Sequence, residues 1–119
     1  MLDPWLSGPA AEAVGAAATL AHWSELTGLD LARLGSTADA EEIKDTAVTQ
    51  PLIVATALLA YQQLVDALPE RALADALTAG HSVGELAAAA VAGALTPDAA
   101  VELAAVRGRE MAAACAAES

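Results

Sequence analysis

The chain has 119 residues and is 56% hydrophobic, yet it holds three aromatics (Trp5, Trp23, Tyr61), no Phe and 34 alanines. The apolar content is mostly methyl groups, so one domain is the ceiling, and an Ala-rich core contributes little burial energy per residue. Sixteen acidic residues against five Lys+Arg give a net charge of −11, which argues against a nucleic-acid partner and against an anionic membrane surface, because almost no cation is present to meet phosphates.

The single cysteine, Cys115, excludes an internal disulfide and fits a reducing cytoplasm. Two histidines and one thiol, far apart in sequence, supply no metal site. Residues 1–20 carry Asp3 and Glu12 but no Lys or Arg, so the basic start of a signal peptide is missing. The longest uncharged stretch, Thr46 to Val65, is interrupted by Gln50, Pro51, Gln62 and Gln63. It falls short of the roughly 20 apolar residues that span a bilayer and reads as a buried helix.

In chain order, Pro9–Leu26 is predicted as one helix, capped by Ser7 or Gly8 and stopped by a left-handed Gly28. Leu29–Leu34 is a short helical turn closed by Gly35, and residues 38–45 make an exposed turn or two. Thr49-Gln50-Pro51 opens a long apolar helix to about Leu68, ended by Pro69. Glu70–Leu77 is weakly helical, and Leu77-Thr78-Ala79 reads as a very short strand. Helix resumes from about Glu85 to Ala92 with Gly93 as its stop. Thr96-Pro97-Asp98 then starts a last helix running to the C-terminus, with a hydroxyl cap, a first-turn proline and an acid at the positive end.

Gly80-His81-Ser82-Val83-Gly84 is a G-x-S-x-G pentapeptide. Its physical content is a tight turn into a helix, with Ser82 at a strained apex and flanking glycines where a side chain would collide. The N–H of Val83 becomes a donor for an oxyanion at the helix start. The bland alternative is a glycine-rich cap carrying an ordinary serine. His81 is not a base for Ser82, because adjacent residues at a sharp elbow point apart; it packs beside the turn or lines a pocket. His22 reads as a surface or partly packed residue, and Cys115 as inert.

Arg107 projects from an apolar helical stripe: at 100° per residue, Ala100, Leu103, Ala104 and Met111 fall within about 60° of it. A cation there needs an anionic partner. Three readings stay open: an internal ion pair with Glu85, a snorkelling exposed arginine, or a fork that receives a substrate carboxylate. Gln50 beside Pro51 reads first as a hydrogen-bonding residue at a helix start.

The longer string Gly80-His81-Ser82-Val83-Gly84-Glu85 resembles the active-site motif of the malonyl-CoA:acyl-carrier-protein transacylases and related acyltransferase domains of fatty-acid and polyketide synthesis. Thr46 to Leu52 is similar to the family's T-x-x-x-Q-P helix start, and Arg107-Gly108-Arg109-Glu110-Met111 to its R-G-x-x-M segment. The resemblance implies Ser82 as nucleophile, Val83 N–H as oxyanion donor and Arg107 as the malonyl carboxylate clamp. Gln50, Gly80, His81, Gly84 and Glu85 would shape the pocket and elbow.

The same resemblance implies an α/β parent enzyme, with this chain predominantly helical and carrying one short strand before the elbow. Residues 1–119 would then be an incomplete part of the large subdomain, without the family's first strand and G-Q-G-x-Q loop and without its downstream histidine base. The expected partners are malonyl-CoA, acyl carrier protein and the remainder of the acyltransferase. No cofactor or metal is implied, and this polypeptide by itself is expected to be nearly or wholly inactive. Two rivals are a serine esterase or thioesterase of the α/β-hydrolase type, which shares the elbow, and a non-catalytic Ala-rich helical interaction module.

Overall fold

A computed structural model describes residues 1–118. After a 3-10 turn at Asp3–Trp5, the described residues form seven helices: α1 (Pro9–Val14), α2 (Ala16–Thr27), α3 (Leu31–Ser36), α4 (Ala40–Ile43), α5 (Thr46–Ala67), α6 (Gly84–Val91) and α7 (Pro97–Glu118). They pack into an elongated body of 50 × 29 × 21 Å. The two longest helices, α5 and α7, share the most extensive contact, and α6 lies against both.

The core forms where the few large side chains meet the alanines. Trp23, Leu20, Leu31, Leu52, Leu59 and Val101 are fully buried, with Ala55, Ala100 and Ala104 between them. Alanine permits this closeness, and Gly108 extends it: a Cβ there would lie 2.7 Å from the Thr46 carbonyl oxygen and 3.0 Å from Ala47 Cα. The start of α5 and residue 108 of α7 therefore meet backbone to backbone. Contrary to the expectation that its polar interruptions leave it too short, α5 is by length and composition long and apolar enough to cross a membrane; as expected of a buried helix, it carries the buried Leu52, Val54, Leu58 and Leu59 at the centre of the bundle.

Local chemistry accounts for the boundaries. The predicted first helix is divided at Gly15, whose left-handed φ of 65° ends α1 and opens α2. Gly28 stops α2 as predicted (φ 73°), and Gly93 follows α6 (φ 87°). Gly35 is a buried interior residue of α3 rather than its stop. The long helix begins at Thr46, earlier than the Gln50-Pro51 pair suggests, because the Asp45 carboxylate accepts from Ala47 N–H at 2.9 Å. Pro51 is an interior residue of α5 and removes the N–H that would meet the Ala47 carbonyl. α7 starts as expected, with Thr96 Oγ1 accepting from Ala99 N–H at 3.0 Å. It reaches Glu118, and Ser119 lies outside the described residues.

Two further expectations are corrected. The stretch expected to be weakly helical, Glu70–Leu77, is not helix, and residues 70–75 form turns: Arg71 sits at φ 68°, and Ala72, Ala74 and Ala76 each donate only three residues back. Every one of these residues is exposed, so no apolar face rewards a helix. Leu77-Thr78-Ala79 is not a strand. A strand needs a laddered neighbour, and among the described residues none exists; Leu77 is 98% exposed. Instead Thr78 Oγ1 donates to the Ala88 carbonyl at 3.0 Å, tying this segment to α6 through one side chain.

Candidate active site

The elbow is present, with no strand before it among the described residues. Ser82 adopts φ 57°, a left-handed conformation shared with one other non-glycine among the described residues, Arg71. Such a backbone costs an L-residue on the order of 1–2 kcal/mol. Gly84, Glu85 and Leu86 donate back to His81, Ser82 and Val83 at 3.0, 3.0 and 3.1 Å, winding the turn into α6. The N–H of Val83, at the N-cap position, has no partner among the described residues. It is a free donor at a helix start, as an oxyanion site requires.

The two flanking glycines are not equivalent. A Cβ on Gly80 would sit 2.2 Å from the Gly84 carbonyl oxygen and 2.6 Å from Glu85 N, so only glycine fits beneath the turn. At Gly84 a Cβ would meet nothing within 4 Å, which corrects the expectation that both positions require glycine on steric grounds.

Three stretches far apart in sequence converge here. Arg107, half-buried on α7, donates from Nη2 to Ser82 Oγ at 3.1 Å and from Nη1 to Gln50 Oε1 at 2.6 Å. Gln50 donates in turn from Nε2 to Met111 Sδ at 3.2 Å. Gln50 is buried at 6% exposure, while Ser82 is exposed. The stripe around Arg107 is only half covered: Ala100 and Ala104 are buried, but Leu103 and Met111 are open to solvent.

Arg107 makes no ion pair among the described residues, so the internal pairing with Glu85 is not formed. Two of its five N–H donors are used, both by neutral oxygens, and its positive charge is not compensated locally. Glu85 lies exposed in the first turn of α6.

His81 is exposed and makes no side-chain hydrogen bond with Ser82, whose hydroxyl has Arg107 as its side-chain partner. His22 is engaged elsewhere. Its Nε2 lies 2.9 Å from Asp98 Oδ2, while Trp23 Nε1 donates to Asp98 Oδ1 at 2.9 Å. These bonds, His22 first and Trp23 second, hold the Asp98 carboxyl below its usual range. This α2–α7 staple was missed by sequence reasoning; the available signal was a Trp whose N–H must find an acceptor when buried. Cys115 is exposed. Surface grooves gather round Tyr61, lined by Val65, Leu68, Pro69 and Leu73, and neither Ser82 nor Arg107 lines them.

Comparison with known proteins fits this geometry. Residues 7–118 match the family described as "Acyl transferase domain". Over 118 residues the chain is 57% identical to the malonyl CoA-acyl carrier protein transacylase of Mycolicibacterium smegmatis, covering 99% of this chain and 38% of that protein. It is 58% identical to that of Mycobacterium tuberculosis, covering 99% and 37%. The crystal structure of MCAT from Mycobacterium tuberculosis superposes with a TM-score of 0.84 at 56% identity, over 98% of this chain and 36% of that one. The chain thus spans less than two fifths of the length of these curated relatives, and it belongs to the acyl transferase domain family.

Proposed function

We propose that this chain carries the nucleophile and the carboxylate clamp of a malonyl-CoA:acyl-carrier-protein transacylase of α/β architecture, acting in the cytoplasm. The observation that carries the reading is an uncompensated guanidinium 3.1 Å from a left-handed serine hydroxyl. Ser82 Oγ attacks the malonyl thioester carbonyl, and the oxyanion forms near the Val83 N–H. The carbon–sulfur bond breaks and coenzyme A leaves as its thiol. The phosphopantetheine thiol of the carrier protein then attacks the serine ester and takes the malonyl group. Covalent catalysis divides one transfer into two displacements and needs no cofactor.

Arg107 keeps three N–H donors for the distal malonyl carboxylate, a charge-assisted pairing that an acetyl group cannot make. A serine esterase would use the same elbow but has no use for a cation against its nucleophile, and a helical interaction module would need neither. Ser82 also requires a base. The chain's two histidines are His22, held by Asp98, and His81, which does not reach the hydroxyl. Removing the base from a serine-type site leaves weak residual catalysis, so these 119 residues by themselves are nearly or wholly inactive.

A chimaera tests the reading. Residues 1–118 replace the matching span of the Mycolicibacterium smegmatis relative, and the product is mixed with malonyl-CoA. Mass spectrometry is expected to find a malonyl ester on Ser82, absent in Ser82→Ala. A chimaera that transfers malonyl groups with Ser82→Ala in place overturns the assignment.

A further inference from the structure

Arg107 does not set its own orientation. Its Nη1 rests on Gln50 Oε1, and Gln50 is one of two buried polar side chains among the described residues. A guanidinium only donates, so the amide must turn its oxygen toward it; the amide NH2 then faces away. There it meets Met111 Sδ, a thioether that only accepts. The Gln50 side chain is clamped between a pure donor and a pure acceptor, and turning the amide over would spoil both contacts.

We propose that Gln50 is a positioning residue that presents the Arg107 guanidinium to a carboxylate-bearing acyl group, with the Met111 sulfur as the stop that fixes the Gln50 amide. The inference rests on the reading of Arg107 as the carboxylate site. The neutrality of Gln50 is central. A glutamate at position 50 would also accept from Arg107, but it would supply the negative charge that the acyl group is meant to bring. The buried partner of Arg107 therefore gives it direction while leaving its charge uncommitted.

The test follows the side-chain Nε–H resonance of Arg107 by NMR in the 119-residue chain. Malonyl-N-acetylcysteamine thioester is the probe and the acetyl thioester its control. In the wild-type chain the malonyl thioester is expected to shift this resonance and the acetyl thioester to leave it in place. Gln50→Glu keeps or raises the melting temperature while weakening malonyl binding at least tenfold, an outcome a merely structural glutamine would not give. Met111→Leu preserves volume, weakens binding about three- to tenfold and speeds rotation of the Arg107 guanidinium. The rotation is read without any ligand, so it reports even where binding is weak.

If Gln50→Glu and Met111→Leu bind the malonyl thioester as the wild type does, with unchanged guanidinium rotation, the positioning role is wrong while the Arg107 assignment stands. If the wild-type resonance ignores the malonyl thioester, the carboxylate reading itself falls, and this inference with it.

Discussion

The α5–α7 seam and the stretch from Pro69 to Val83 are built to different standards. In the seam, Gln50 is buried, Gly108 brings two backbones into contact, and each polar atom of the Gln50 amide has a partner. The stretch leading to Ser82 consists of exposed turns and irregular chain, held by the Thr78 bond to Ala88, the fit of Gly80 under the turn and the Arg107 contact. One half of the candidate site is thus anchored in the core, and the other is hung from it. Local opening is expected to be inexpensive at the elbow and to approach the global value at the seam.

Substitutions sharpen this contrast. Gly108→Ala drives a methyl into backbone and should lower global stability by about 2–3 kcal/mol in denaturant unfolding. Asp98→Ala leaves the Trp23 indole N–H and His22 without their shared acceptor and should cost about 1–2 kcal/mol. Gly80→Ala should change global stability by less than about 1 kcal/mol, because the elbow opens locally. It should nevertheless abolish exchange protection of the Gly84 and Glu85 amides, whereas Gly84→Ala leaves both unchanged. Equal global losses for Gly108→Ala and Gly80→Ala would erase the distinction.

Ser82→Gly relieves the left-handed backbone and should stabilise the elbow by about 0.5–1 kcal/mol, while removing the candidate nucleophile. The smallest effect is acid sensitivity. The folded Asp98 pKa is depressed, so its contribution is complete above the ordinary value of 3.8 and is lost as pH falls through the lower folded value. For a half-exposed side chain this amounts to less than about 1 kcal/mol. An Asp98→Asn chain should show a shallower loss of stability in that acid window.

Legibility in the sequence followed the same divide. Capping and stopping residues located most helices, because Gly28, Gly93, Pro97 and Thr96 act through local geometry. Gly15 was harder to read, since nothing in an alanine-rich run marks one glycine as a break. The supposed strand at 77–79 failed because strand formation depends on a neighbour, which no local pattern supplies. Ser82, Gln50 and Arg107 were each visible through spacing and resemblance, but their convergence was not. Arg107 at a helical position 25 residues from Ser82 fits an ion pair, a snorkel or a clamp until the fold shows which atoms it meets. The Met111 contact with Gln50 had no sequence signal beyond the place of Met111 on the α7 stripe around Arg107.

The most direct test is acyl selectivity in the chimaera carrying Arg107→Ala. Loss of a charge-assisted carboxylate pair should reduce malonyl transfer about a hundredfold or more, while acetyl transfer changes little or rises relative to it. Equal reduction of malonyl and acetyl transfer, or malonyl transfer that persists with its selectivity intact, would contradict the account.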